Sequence, residues 1–240
     1  MAQRRPDRMT DDELFRDWVA GIERIYTEMI GLGQNRRMFR MMRDVLDRNR
    51  RLQETGGHVL DWMFGNYALA AAMSFRRDLD RDASTLGLLN LLYEIEVRAA
   101  ILNRARYRAT WKFRPGDDME RYVCDKAFNS FEPQTYPGEP ERDHINPAVV
   151  RADLEKLLNE TESVRLIVEQ TFAHRARGEP QAVTWGEFHA AVEVLVEVFK
   201  KYYALLTLKT VLDIEPAPQN DTHECLTFPW WESEPTRPLR

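Results

Sequence analysis

The sequence predicts an all-α protein, a helical bundle of five to seven helices with an irregular insertion and a Pro-rich C-terminal tail. Three observations carry this reading. Apolar residues recur at three- and four-residue spacing through most of the chain, the mark of one buried helix face. No segment alternates apolar and polar residues as a half-buried strand does. Prolines cluster in two windows, about 109–147 and 214–240, rather than punctuating the whole chain. Residues 1–213 therefore read as a single helical domain interrupted by the 109–147 insertion, and residues 214–240 as a tail. With 240 residues, 43% of them hydrophobic, the chain can fill one such core.

Each element has a local reason. Asp11, Asp12 and Glu13 put negative charge where a helix N-terminus favours it. Leu14, Trp18, Ile22, Ile25 and Met29 follow at helical spacing, and Gly31 and Gly33 are expected to end that helix. A second helix carries Met38, Met41, Met42 and Val45 on one face, and arginines (Arg36, Arg37, Arg40, Arg43 and Arg51) on the other. The third, about 59–79, is apolar almost all round, with Leu60, Trp62, Met63, Phe64, Tyr67, Leu69 and Met73, and is expected to sit centrally. Ser84 is an expected N-cap for a fourth helix that runs to about Arg108.

The insertion holds Pro115-Gly116, Pro133, Pro137-Gly138 and Pro140, and is expected to be irregular, with one short helix around 125–130. Asn146-Pro147 supplies a cap and a first-turn proline for a long helix reaching about His174. Thr184-Trp185-Gly186-Glu187 fits a capping box opening the last helix, with Phe188, Val192, Leu195, Phe199, Tyr202 and Leu206 on its stripe. Prolines 216, 218, 229, 235 and 238 then forbid regular helix.

Composition excludes several functions. Two cysteines about a hundred residues apart, Cys124 and Cys225, suit a reducing compartment and give no disulfide scaffold or cysteine zinc site. The charged start lacks the apolar core of a signal peptide, and no apolar run has the roughly 20 residues of a membrane span. A cytoplasmic protein with no membrane segment is expected. The one Glu-x-x-His, Glu141-Arg142-Asp143-His144, falls in the proline-rich insertion without the second such pair a di-metal bundle needs, and no HExxH, GxxxxGK[ST], GxGxxG or GxSxG occurs, so no metal and no cofactor are expected. The net charge of −5 is uneven: residues 1–114 hold 21 Lys and Arg against 16 acids, and residues 115–240 hold 13 against 23. The basic half permits an anionic partner such as RNA.

Two constellations stand out. Arg98, Arg104, Arg106, Arg108, Lys112 and Arg114 occur without an intervening acid, interleaved with Tyr107, Trp111 and Phe113. Cations for phosphate plus rings for stacking suit single-stranded RNA, and the same residues would serve as a solvated helix end docked by its aromatics. The second is Glu169-Gln170-Thr171-Phe172-Ala173-His174-Arg175, where a histidine closes a long helix, either as a cap or as a proton-transfer group.

A long helix ending in Ala173-His174-Arg175, a short Gly/Pro turn and another long amphipathic helix resembles the HEPN superfamily, most nearly the branch of the abortive-infection protein AbiU. The stretch DWMFGNYALAAAMSFRRDLDRDASTLGLLNLLYEI is similar to that branch's Trp-containing helix, Arg-Arg-x-x-Asp segment and following Ser-x-x-x-Leu-Leu helix. The likeness covers about 14–100 and 148–212. It implies a helical bundle that pairs as a homodimer and a role in phage defence or as a toxin, often as a metal-independent ribonuclease. In such enzymes histidine moves the 2′-hydroxyl proton and arginine balances charge on the phosphate.

His174 matches the family histidine and Arg175 the residue that often follows it. The family's arginine, separated from the histidine by four to six residues, is missing. Arg165 lies nine positions back, two and a half turns or about 13 Å along a helix and on its far side. Arg175 or Arg177, Arg76 or Arg77, or an arginine of a partner copy would have to replace it. With His174 and Arg175 as the catalytic candidates, Arg76, Arg77, Arg104, Arg106 and Arg108 are the RNA-binding candidates. The other reading is a non-catalytic module that binds RNA or a protein partner through the insertion or tail.

Overall fold

The computed structural model describes residues 9–82, 84–110, 118, 122, 128–131, 143–169 and 183–215. These form an all-α bundle: α1 (Asp11–Arg48), α2 (Arg50–Thr55), α3 (Gly57–Asp78), α4 (Leu88–Val97), a 3₁₀ turn (Ala99–Ile101), α5 (Arg104–Thr110), α6 (Pro147–Glu160), α7 (Glu162–Ile167) and α8 (Trp185–Thr207). Among the described residues the only strand-like pairing is the isolated antiparallel bridge between Asn103 and His144. Among the described residues eight α-helical segments have defined bounds where five to seven helices were expected, because breaks at Asn49, 98–103 and Thr161 divide longer expected helices.

The central helix is α8, not α3. Val192, Leu195, Phe199, Tyr202 and Leu206 of α8 are fully buried, and the helix packs between α1 and α6 while also touching α7. Its start is the expected capping box: Thr184 Oγ1 accepts the Glu187 N–H at 3.2 Å, and Glu187 Oε2 accepts the Thr184 N–H at 2.8 Å. The third helix buries only the face bearing Leu60, Tyr67, Ala71, Ala72 and Phe75. Trp62 is 69% exposed and Phe64 half-buried. An all-round apolar pattern therefore describes here a helix with one packed face and one open apolar face.

The long α1 overrides Gly31 and Gly33. Glycine costs a helix interior about 1 kcal/mol relative to alanine. Burial of Leu32, Phe39 and Met42 in line with Leu14, Trp18, Ile22, Ile25 and Met29 outweighs that cost. Gly33 also has a structural use: a Cβ there would lie 2.3 Å from the Ile214 carbonyl oxygen. The chain leaving α8 crosses α1 at this point. Ile214 is buried, and the Glu215 carboxylate accepts an ion pair from Arg40 Nη1 at 3.0 Å. Arg36, on the same stripe of α1, binds Glu193 of α8. The tail thus begins as a strap on α1; residues 216–240 lie outside the described residues.

The insertion contributes to the core through residues 128–131 and 143–147. Phe128, Phe131 and Ile145 are buried. Ile145 N–H donates to the Leu102 carbonyl at 3.0 Å, and Asn146 N–H to the Phe131 carbonyl at 3.1 Å. Asn146 caps α6 as expected, accepting the Ala148 N–H at 2.9 Å. That helix stops at Glu160 rather than continuing, since the buried Thr161 hydroxyl donates back to the Leu157 carbonyl at 2.6 Å. Such back-bonding bends a helix. Similarly, the N-cap of α4 is Gly87 and not Ser84, and the expected helix to Arg108 is broken before α5.

Two substitutions separate the two glycines of α1. Gly31→Ala meets no atom within 4 Å and should stabilise the fold by up to about 1 kcal/mol. Gly33→Ala should destabilise it by about 1–3 kcal/mol, since the strap must move to admit a methyl group. Urea denaturation of both variants checks the opposite signs.

Candidate functional site

At its C-terminal end α3 packs on α7, and a cleft of about 250 Å³ opens between them. Phe75, Leu79 and Val168 make an apolar floor, and Arg76, Asp80, Arg81, Arg165 and Glu169 surround it. This volume is below the roughly 300–1,000 Å³ of sites for whole drug-sized ligands and suits a phosphate group with part of its substituent.

The loop that carries Asp80 and Arg81 is held by a dense local network. Asp80 Oδ1 accepts the Asp82 N–H at 3.0 Å, and Asp82 Oδ1 the Ser84 N–H at 2.9 Å. The Ser84 bond holds the exposed Asp82 carboxyl below its usual range. Asn90 Nδ2 donates to the Asp82 carbonyl at 2.7 Å and to the Thr85 carbonyl at 3.2 Å. Gly87 passes so close to α3 that a Cβ would lie 2.3 Å from the Arg77 carbonyl oxygen. Arg81 is therefore presented by an anchored backbone.

The three guanidinium groups differ in availability. Arg165 is occupied: Nε and Nη2 donate to Glu162 at 3.0 and 2.9 Å, and Nη1 donates to Glu169 at 3.2 Å. These bonds hold the Glu162 carboxyl below its usual range, with a further contribution from the field of Arg81. Among the described residues Arg76 forms no ion pair or hydrogen bond, and Arg81 acts on Glu162 through its field alone. Arg77, one position on and about 100° round the helix, leaves the cleft. Its Nε lies 3.3 Å from Glu28 Oε2 of α1.

Behind Arg77 lies Asp78, 1% exposed, whose Oδ2 has no hydrogen-bond partner among the described residues. Burial pushes its carboxyl up to about 7, the charge of Glu28 adds to the rise, and the Leu88 N–H and Arg77 oppose it. The Leu88 bond ties the start of α4 to the end of α3 and closes the loop that presents Arg81.

The sequence candidates are dispersed. His174 and Arg175 lie outside the described residues. Arg104 stacks over Phe128 at 4.7 Å and donates to Asn129 Oδ1 at 2.7 Å, which holds the insertion on α5. Arg106 binds Asp12 at 2.6 Å and the Asp11 carbonyl at 3.2 Å, at the N-terminus of α1. Tyr107 is buried, so its ring packs inside rather than standing open for stacking. The side chain of Arg108 is not among those described. Arg76 is the candidate that reaches the cleft. Arg81 is the residue that sequence reasoning missed; its only signal was a third arginine in RRDLDRD, and only the loop geometry brings it back beside Arg76.

One other polar cluster is built into the fold. Tyr67 Oη lies 3.3 Å from His189 Nδ1, inside a group of rings from Phe39, Phe64, Trp185 and Phe188. Burial lowers the His189 imidazole, helped by Arg36 and Arg40, and burial raises the Tyr67 phenol to about 12. Both are thus neutral at pH 7 and bind α3 to α8. Among the described residues no group of three His, Cys, Asp or Glu side chains is placed to hold a metal ion.

Asp78 gives the fold a pH dependence of definite sign. Its folded pKa lies above the unfolded value, so the folded state holds a proton that the unfolded chain releases between about pH 4 and 7. Stability should fall as pH rises through that window, by up to about 4 kcal/mol for a shift of this size. Asp78→Asn should flatten the dependence and exceed the parent in stability at pH 8; chemical denaturation across pH 4–8 measures it. Comparison of the chain with known protein families, with curated proteins and with solved structures finds no match.

Proposed function

We propose that the protein is a HEPN-like, RNA-directed component of a defence or toxin system. In this reading the α3–α7 cleft is its phosphate site and His174 its proton-transfer group. The observation that carries it is the pair Arg76 and Arg81, two cations beside an apolar floor whose guanidinium groups neither pair nor hydrogen-bond with a described residue. Arg76 is also one of the residues able to stand in for the arginine missing from the family motif. The described part of the α7 wall ends at Glu169, and His174 follows five residues later. Five residues span at most about 17 Å along any path, so the histidine is within chain reach of the cleft.

The chemistry needs little more. An imidazole removes the 2′-hydroxyl proton, the freed oxygen attacks the adjacent phosphorus, and the 5′-oxygen leaves with a proton. Arg76 and Arg81 would balance charge on the phosphoryl oxygens as it develops. The resemblance also implies a homodimer, and the two widely spaced cysteines suit the cytoplasm. In the described residues no helix is long and apolar enough to cross a membrane.

A non-catalytic RNA- or protein-binding module is the second reading, favoured by the capture of Arg165 between Glu162 and Glu169. Among the described residues that capture leaves the cleft two open cations, Arg76 and Arg81.

The two readings separate in one assay, cleavage and binding of a single-stranded RNA pool in chelator. His174→Ala should lower cleavage by about 10²–10⁴-fold with an unchanged melting temperature. Arg76→Ala and Arg81→Ala should each weaken RNA binding and reduce the slope of log affinity against log salt by about one contact. Equal cleavage by parent and His174→Ala, or none by either, rejects the ribonuclease. Unchanged binding by both arginine variants rejects the cleft as the RNA site.

A further inference from the structure

The outer face of α3 is apolar and open. Val59, Trp62, Leu69 and Met73 recur there at helical spacing and are 60%, 69%, 44% and 42% exposed. Scattered exposed apolar residues are ordinary, but a contiguous helical stripe that includes a tryptophan marks an interaction surface. The path of the chain beyond α8 bears on what covers it. From there the backbone runs along α1 toward that helix's C-terminal end. Lys209 Nζ donates to Glu23 Oε1 at 2.6 Å, Ile214 crosses Gly33, and Glu215 pairs with Arg40. At that level Phe39 meets Phe64 and Tyr67 of α3, with ring centroids 5.1 and 4.6 Å apart, and the Glu215 charge reaches the Tyr67 phenol. Glu215 therefore lies beside α3, on a course toward the half of that helix that carries Val59 and Trp62.

We propose that Trp230 and Trp231 of the same chain dock on this face, against Val59, Trp62 and Leu69, and close it from within the molecule. No residue of the cleft takes part in the contact.

Reach, composition and tethering select this occupant. Residues 216–229 separate Glu215 from Trp230. A chain of about 14 residues has an r.m.s. span of about 20 Å and a limit of about 46 Å. With 22 residues α3 is about 33 Å long and about 10 Å across, so its outer face lies within that limit. The segment LTFPWW, residues 226–231, brings Leu226, Phe228, Trp230 and Trp231 together, apolar area enough to cover a stripe of four side chains. Asp221, Glu224, Glu232 and Glu234 flank it, and Arg43 and Arg48 are exposed on the last turns of α1, beyond Arg40. Another exposed apolar pair, Tyr93 and Val97 of α4, lies the other way. Glu94 accepts from Trp18 Nε1 at 2.9 Å, which sets α4 about 15 residues, or about 22 Å, back along α1 from Gly33. A tethered segment acts at an effective concentration on the order of millimolar. At micromolar protein it therefore outcompetes an untethered occupant of equal intrinsic affinity by about a thousandfold.

The test uses the full chain with Cys124→Ser, so that Cys225, five residues before Trp230, is the remaining native thiol. Leu69→Cys in this background should link to Cys225 within one chain when treated with a short bis-maleimide, to an extent independent of protein concentration. Trp230→Ser together with Trp231→Ser should lower the linking rate by at least about tenfold, and Tyr93→Cys in place of Leu69→Cys should link no faster than that. In the otherwise unaltered chain Trp62→Glu should speed limited proteolysis within residues 226–240 by at least about tenfold, with circular dichroism unchanged, because cleavage follows the undocked population. Absence of the Leu69–Cys225 link overturns the proposal, as does equal linking at Tyr93→Cys or with both tryptophans replaced. Links between chains that rise with concentration overturn it and assign the face to a second copy. Equal proteolysis of the parent and Trp62→Glu overturns it as well.

Discussion

Burial of α8 is the constraint from which the remaining geometry follows. Its side chains from Phe188 to Leu206 are enclosed on nearly every side, and so three separate partners are required to cover them. One is α1, long because a short helix would leave part of α8 in water. A second, α6, is bonded to it through Asp153, which accepts from Lys201 at 2.6 Å and from Tyr202 at 2.9 Å. Sharing that carboxylate, the buried Tyr202 hydroxyl avoids the cost of an unpaired polar group. The third, α7, continues from α6 after the bend at Thr161, and that bend directs it toward the end of α3. The cleft is thus a consequence of how α8 is covered.

With α8 at the centre, α3 is left on the flank of α1, and its two faces have separate work. The inner face fills the core through Tyr67, Ala71 and Phe75. The last turn divides by direction: Arg76 toward the cleft, Arg77 toward Glu28, and Asp78 into the interior against Leu88. Three consecutive residues in a helix point about 100° apart, so this division requires no special backbone. The cost of the arrangement is concentrated in Asp78, a buried carboxyl with one oxygen unsatisfied among the described residues.

The parts of this fold that were legible in the sequence are those fixed by local chemistry. The caps at Asn146 and Thr184, the acidic start of α1 and the absence of strands among the described residues depend on residues within a turn of each other. The parts that were not legible depend on distant partners. Gly31 and Gly33 read as a stop because nothing nearby shows that Ile214 and Glu215 will cross at Gly33. The apolar pattern of α3 does not say which face is covered, because that depends on α8 taking the centre. Arg104 and Arg106 look like an open cationic stripe in one dimension, and in three their partners are Phe128, Asn129 and Asp12. Arg76 was among the candidates and Arg81 was not, since only the turn at Asp80–Asp82 folds the second beside the first.

The central claim is that phosphate is held at the α3–α7 cleft and not at the arginine cluster of α5. Backbone amide chemical shifts followed during titration with a short single-stranded RNA read this position directly. The account predicts that perturbations centre on residues 75–81 and 165–169. Perturbations confined to residues 103–110, or none at saturating RNA, would contradict it.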